Sequence, residues 1–359
     1  MTDPAALRSA RPLLAYSLAD LEARVVELGG RAFHARGVRK AVLEQGVLEY
    51  ADMTSLSADL RARLDAEIPI LAAVESARTV SNDGTTKLLL SFPPREGGRD
   101  KPATIEVVHM PSLKPTEEDE VGATLCVSTQ AGCPVACPFC ASGLAGLDRN
   151  LDAHEILEQY VRGRALGPLK RSVVMGIGEP FLNLPAVTAA LDVVHDEMGL
   201  GSRKITVSTV GFPDRLHRAA RDNPRYQLAI SLHTPDDEQR AELVPAMAGT
   251  TVDEILEAGD DWFQQTGREV TYEYALLGGV NDSVGHVQRL AEKLRGRRCT
   301  VNVIPYNPSE SLPFHRPSSA AVEAFQTRLQ EAGVVATVRW SRGLDGAAAC
   351  GQLRSRNLD

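Results

Sequence analysis

The chain has 359 residues, and 39 Lys+Arg against 47 Asp+Glu give it a net charge of −8. That length accommodates one large α/β domain and a smaller module, and the lack of any run of 18 apolar residues excludes a hydrophobic spanning helix. The negative balance excludes whole-molecule attraction to a polyanion, so a nucleic acid could be held only at local basic clusters. The clusters are Lys170-Arg171, Arg203-Lys204, Arg295 with Arg297-Arg298, and Arg354 with Arg356. The start of the chain lacks the charged-then-apolar pattern of a secretion signal, and the expected compartment is the cytoplasm, where thiols stay reduced.

Residues 17–66 are rich in Ala, Leu, Glu and Arg at helical spacing, interrupted near Gly29-Gly30 and near Met53–Ser57. They predict a small helical module over 1–67. Residues 68–118 change to strand patterning: Leu71–Val80, an Asn82-Asp83-Gly84 turn, Thr86–Phe92, a polar loop over Arg95–Lys101, and Ala103–Met110. From 119 to 359, strand-like runs alternate with helical ones. The strands are Thr124–Ser128, Ser172–Met175, Lys204–Ser208, Tyr226–Ser231, Glu269–Ala275, Thr300–Ile304 and Val334–Trp340. Between them lie helical segments such as Ala153–Leu166, Pro185–Glu197 and Ser319–Ala332. Alternation of this kind implies a parallel sheet, and about six βα units after the first strand imply a partial (β/α)6 barrel of the TIM type, with reactive groups at the carboxyl ends of its strands.

Cys133, Cys137 and Cys140 stand just beyond the first of these strands in a CxxxCxxC loop. Three thiolates at this spacing suit one face of a four-iron, four-sulfur cube, leaving one iron free to chelate S-adenosylmethionine for reductive cleavage to a 5′-deoxyadenosyl radical. A zinc knuckle completed by Cys126 is the rival, but zinc sites favour paired hooks separated by a longer gap, and the chain has no second hook. Gly176 and Gly178 follow a buried strand and let backbone approach a ligand closely, and Glu179 offers a carboxylate to an ammonium group. Period-two alternation puts Cys126 and Ser128 on one face of their strand and Leu125 and Val127 on the other. Cys350 lies in the small-residue run Gly346–Leu353, which is expected to pack loosely and move. Cys299 reads as a small buried residue in a strand.

These motifs, in this order, resemble those of the RlmN/Cfr family of radical S-adenosylmethionine RNA methyltransferases over essentially the whole chain. The matching segments are the cysteine loop, Met175–Pro180, Val207–Gly211, Ser231–His233, Ile304–Pro308 and Ala349–Leu353. The resemblance implies a radical S-adenosylmethionine partial barrel with a [4Fe-4S] cluster on Cys133, Cys137 and Cys140. Gly178, Glu179, Ser208, Ser231, Leu232, His233 and Asn307 would bind S-adenosylmethionine, two molecules being used per turnover. Cys350 would take a methyl group from the first, and the second would supply the radical that activates it for addition to an adenine carbon. Polar transfer to that carbon is closed, because a ring carbon bearing hydrogen is too weak a nucleophile to attack a sulfonium. Cys126 would release the product through a transient disulfide with Cys350, and Glu106 would accept the proton.

The implied substrate is C2 of an adenosine in 23S rRNA at the peptidyl transferase centre, with the tRNA adenosine 3′ of the anticodon as a second target. The chain is expected to be a monomer reduced by a flavodoxin or ferredoxin. C8 methylation of the same rRNA adenosine, the Cfr-type activity, is the alternative within the family. A non-catalytic iron–sulfur RNA-binding protein is the alternative from another class, and it would have no use for Cys126, Cys350 or Glu106. Two positions depart from the family pattern. Ile177 replaces its usual methionine, and Gly346-Ala347 replaces an isoleucine and a polar residue, which leaves room for a paralogue with another RNA target.

Overall fold

Serine caps and glycine stops set the helices of the first quarter of the chain, in a computed structural model that describes residues 11–95, 101–112, 122–309 and 312–353. Ser17 accepts from the Asp20 N–H at the start of α1 (Leu18–Glu27), and Ser57 from the Leu60 N–H at the start of α3 (Ala58–Glu67). Between them α2 (Ala32–Gln45) ends at Gly46, whose φ of 69° is a left-handed stop. The two interruptions read from the sequence are thus the two helix junctions.

Three antiparallel strands follow, β1 (Val74–Val80), β2 (Thr86–Phe92) and β3 (Ala103–Pro111), and then β4 (Ala123–Cys126). Next comes a two-stranded hairpin, β5 (Gln130–Gly132) and β6 (Leu147–Asn150), which brackets the cysteine loop. The remainder alternates: α4 (Ala153–Leu166), β7 (Leu169–Val174), α5 (Leu184–Asp196), β8 (Ile205–Thr209), α6 (Pro213–Arg221) and β9 (Gln227–Ser231). After these come α7 (Asp237–Leu243), α8 (Val252–Thr266), β10 (Val270–Leu276), α9 (Val284–Leu294), β11 (Cys299–Pro305), α10 (Ser319–Glu331) and β12 (Ala336–Val338).

One sheet of order β1-β2-β3-β4-β7-β8-β9-β10-β11-β12 carries all but the hairpin. Pairing is antiparallel from β1 to β4 and parallel from β4 to β12. Parallel neighbours need long crossovers, and six helical ones follow β4, as the alternating sequence pattern predicts. Because β1 and β12 end the strand order, the barrel is partial and open at the side.

The strand extension continues the barrel sheet, since β3 pairs with β4 and sets Val108 opposite Cys126. Two features differ from the sequence reading. The last strand is three residues long rather than seven, since among the described residues only β11 flanks it. Segment 343–353 is seated in the barrel, where Ala348 and Leu353 pack on Val108, Cys126 and Ile177. The loop Arg95–Lys101 lies largely outside the described residues, as do Arg354 and Arg356.

Candidate active site

The cysteine loop is shaped by its hairpin. Gly132 has φ 75°, and a Cβ there would lie 2.0 Å from the Gly146 carbonyl oxygen, so only glycine lets the two arms close. Cys133 N–H then donates to that same oxygen at 3.1 Å. Cys133, Cys137 and Cys140 all line one cavity of about 1020 Å³ at the carboxyl ends of the strands. Backbone N–H groups of Val135 and Ala136 favour a charged Cys133 sulfur, and those of Ser142 and Gly143 favour a charged Cys140 sulfur. Burial works the other way, raising Cys133 to about 12 and Cys137 and Cys140 above the ordinary thiol value. Thiols in this setting ionise when a metal centre takes them up.

The donor set fits a cluster better than a single ion. Among the described residues only Asp152, His154 and Glu155 bring three metal-type ligand atoms within 4.8 Å of one another. A tetrahedral zinc, with sulfurs at about 2.3 Å, would need the three thiols that close. Nor can Cys126 serve as a fourth ligand there, because it faces a different cavity. The Asp152 group is already matched by cations: Arg95 reaches Asp152 and Glu155, and Arg149 reaches Glu155.

Glu179 enters the cavity from the turn after β7. Its Oε1 accepts the Phe181 N–H and its Oε2 the Val210 N–H, both at 2.9 Å, and burial lifts its pKa to about 7. Gly178 (φ 109°) makes this turn possible, since a Cβ there would lie 2.7 Å from Gln130 Cβ. Ser208 at the end of β8 and Ser231 at the end of β9 line the cavity with hydroxyl oxygens 3.4 Å apart. His233 also lines it, at a φ of 66° that is unusual for a side-chain-bearing residue. Its Nδ1 accepts the Ala275 N–H at 3.1 Å, and burial lowers its pKa to about 3, so the ring is neutral with its proton on Nε2. Leu232 does not line the cavity: its side chain is fully buried in the core, as alternation between its neighbours requires.

Met175, Ile304, Cys350 and Leu353 line both of two adjoining cavities, and of these Cys350 is the one thiol. It lines the first and also a second of about 1090 Å³ inside the barrel, which Cys126, Met175, Arg171, Arg339 and Trp340 share. Cys350 is exposed as a residue, and the protein packed around its thiol raises the pKa to about 11. Cys126 is raised to about 12, first by burial and then by proximity to Cys350, while Arg339 pulls both thiols down.

The segment carrying Cys350 is tied rather than loose. Asn307 Nδ2 donates to the Cys350 carbonyl at 3.0 Å, Ala141 N–H to the Gly351 carbonyl at 2.8 Å, and Ser142 Oγ to the Leu353 carbonyl at 2.7 Å. Lys87 Nζ donates to the Ala347 carbonyl at 3.0 Å and pairs with Glu106 at 2.8 Å. Glu106 is buried on β3, on the same face as Val108 and therefore on the side of Cys126, but it lines neither cavity. At the departure from the family pattern, a Cβ on Gly346 would lie 2.5 Å from Ser81 Oγ, and Ala347 takes a φ of 48°.

The sequence reading did not single out Glu273, Arg339, Tyr306 or Arg240. Glu273 and Tyr306 line the first cavity and Arg339 the second. For Glu273 a signal was present, an acid flanked by alternating apolar residues in a strand. Of the basic clusters, Arg297 and Arg298 are paired with Asp260 and Glu269, while Arg171 is exposed at the second cavity.

Residues 127–294 match the model of the radical SAM superfamily, and residues 12–70 match that of the ribosomal RNA large subunit methyltransferase N-terminal domain. A probable dual-specificity RNA methyltransferase RlmN of Rhodopirellula baltica is 42% identical, over 95% of this chain and 90% of that protein. Its counterpart in Nostoc punctiforme is 40% identical, over 96% of this chain and 93% of that protein. The crystal structure of a radical SAM methyltransferase from Sphaerobacter thermophilus superposes with a TM-score of 0.86 at 38% identity, covering 96% of this chain and all of that one.

Proposed function

The chain belongs to the RlmN family of radical SAM methyltransferases, and from that premise we propose that it methylates C2 of adenosine in RNA. Its targets on this reading are an adenosine of 23S rRNA at the peptidyl transferase centre and the tRNA adenosine 3′ of the anticodon. The observation that carries the reading is Cys350, the one thiol among the side chains that line both the cavity of the three loop cysteines and the cavity of Cys126.

Cys133, Cys137 and Cys140 hold the [4Fe-4S] cluster, and backbone N–H groups at Cys133 and Cys140 stabilise ligand charge. The cluster and two molecules of S-adenosylmethionine supply the methyl group and the radical chemistry that activates it. Glu179 receives the amino group of S-adenosylmethionine, near Gly178. Ser208 and Ser231 face the ribose, and the neutral His233 and the Asn307 amide complete the cradle. Cys350 attacks the sulfonium methyl carbon as a thiolate, the bond from that carbon to the sulfonium breaks with S-adenosylhomocysteine leaving, and Cys350 carries the methyl carbon as a thioether. Glu106 takes the proton lost by the adenine carbon. Cys126 then attacks the Cys350 sulfur as a thiolate. The sulfur–carbon bond breaks with its electron pair going to the nucleotide carbon, which takes up a proton to become the product methyl group. A transient disulfide is left for cellular thiols to reduce.

The same reading takes a flavodoxin or ferredoxin as electron donor and a cytoplasmic monomer as the working form. No helix among the described residues is long and apolar enough to cross a membrane. Mass spectrometry of nucleosides from rRNA and tRNA, in cells with and without the gene, tests the proposal. The expected result is loss of 2-methyladenosine from both RNA classes. A change in 8-methyladenosine instead would move the chemistry to C8, and no change in either would overturn RNA methylation.

A further inference from the structure

Arg240, in the second turn of α7, is a buried guanidinium with only part of its hydrogen-bonding capacity used. It is 1% exposed. Its Nη2 donates to the Val210 carbonyl at 2.6 Å and the Ser231 carbonyl at 3.2 Å, which fixes it behind the wall of the first cavity. Nε and Nη1 are buried and have no partner among the described residues. An enclosed cation costs several kcal/mol unless an anion lies close. Asp237 acts on it, but that side chain is exposed and its Oδ1 accepts the Val252 N–H. The other group that acts on it is Cys137, and at Cys137 the group favouring a charged sulfur is Arg240. Backbone N–H groups provide this help at Cys133 and Cys140. Burial lowers the Arg240 pKa to about 10, which leaves it protonated at neutral pH.

We propose that Arg240 is the fixed counter-charge of the cluster on Cys133, Cys137 and Cys140, placed to make its one-electron reduction easier. This rests on the cluster assignment made above. The cluster gains one electron, supplied by a low-potential flavoprotein or ferredoxin, and its net charge becomes more negative by one. A cation enclosed beside one ligand favours the reduced state over the oxidised one, and little water intervenes to screen it. Arg240 touches neither substrate nor cofactor, so its role is electrostatic and positioning.

The test is an EPR-monitored redox titration with dithionite of the anaerobically reconstituted full chain, without RNA or S-adenosylmethionine. Arg240→Met should move the midpoint to a more negative potential, and Arg240→Lys, which keeps the charge, should stay near the parent. Equal midpoints in the parent and Arg240→Met would overturn the proposal. Should Arg240→Met fail to hold a cluster, Arg240→Gln decides, since its amide can still donate toward the Val210 and Ser231 carbonyls without the charge. Its midpoint should become more negative, and an unmoved midpoint would overturn the proposal. A parent chain that binds no iron or sulfide removes the cluster assignment and this inference together, whereas an unmoved variant of a cluster-bearing parent removes only the inference.

Discussion

Two thiols meet at one cavity from different elements, Cys126 from the end of β4 and Cys350 from the segment seated in the barrel. Their removal should therefore fail in different ways. Cys350→Ala lacks the methyl carrier and should yield neither S-methylcysteine nor an RNA adduct. Cys126→Ala retains the carrier and lacks the thiol that releases the product, so it should accumulate as a covalent protein–RNA conjugate through Cys350. Denaturing gels of protein expressed in cells, with and without nuclease, distinguish the two; a Cys126→Ala protein that is RNA-free and fully active would rule out the assigned roles. Glu273 makes a separate demand on pH. It is 4% exposed, accepts from Asn302 Nδ2 at 2.8 Å, and is raised to about 7 by burial, with Arg339 and Asn302 acting against the rise. Its folded pKa exceeds the unfolded value of about 4.3, so between these the native state binds more protons than the unfolded one. The stability it contributes is fully present below about pH 4.3 and is lost as pH rises through 7. In the metal-free chain, Glu273→Gln should shrink the difference in urea midpoint between pH 5 and pH 7.5. A difference as large as the parent's would mean that this carboxyl does not carry it.

At the scale of elements, the sequence pattern was most legible where a long period repeats. The reading of Thr86–Phe92 coincides with β2 and that of Ala153–Leu166 with α4, because each has an uninterrupted apolar rhythm and a turn or cap at its end. The β5–β6 hairpin was not legible. Its strands are three and four residues long, and they pair because Gly132 allows a backbone approach that no periodicity signals. The same division holds in the site. The three loop cysteines and Glu179 stand at strand ends in recognisable spacing, and the fold brings them to one cavity. Arg240 and Arg339 were not legible, since a single charge in a helix or strand reads as solvent-facing until the barrel curves around it. Segment 343–353 illustrates the limit of composition: its small residues suggested looseness, yet small size is what lets Ala348 and Ala349 fit inside the barrel at 7% and 3% exposure. Any movement of Cys350 between its partners must break the bonds from Asn307, Ala141 or Lys87.

Over the whole molecule, one continuous core runs from Leu13 in the first helical turn to Ala336 in β12, so the amino-terminal module and the barrel share their apolar interior. Polar contacts reinforce the junction. Glu158 of α4, 1% exposed, accepts the Ala72 N–H at 2.6 Å and is paired with Arg162 at 2.9 Å. Arg39 of α2 donates to the Tyr16 carbonyl at 3.2 Å and through Nη2 to Glu197, just beyond α5, at 2.7 Å. Shared core of this extent favours a single cooperative unfolding transition, with the module unable to separate first. Arg39 is 7% exposed while the Glu197 side chain is 37% exposed, so the pair sits at the edge of the junction and solvent screens part of its attraction. Arg39→Ala removes two charge-assisted bonds and one bond to a carbonyl, and it should cost about 1–3 kcal/mol. The cost should appear as a lower urea midpoint of the one transition, followed together by circular dichroism and by the fluorescence of Trp262 in a Trp340→Phe background. If the two probes separate, with the helical signal falling before the barrel tryptophan responds, module and barrel unfold independently and the shared core does not couple them.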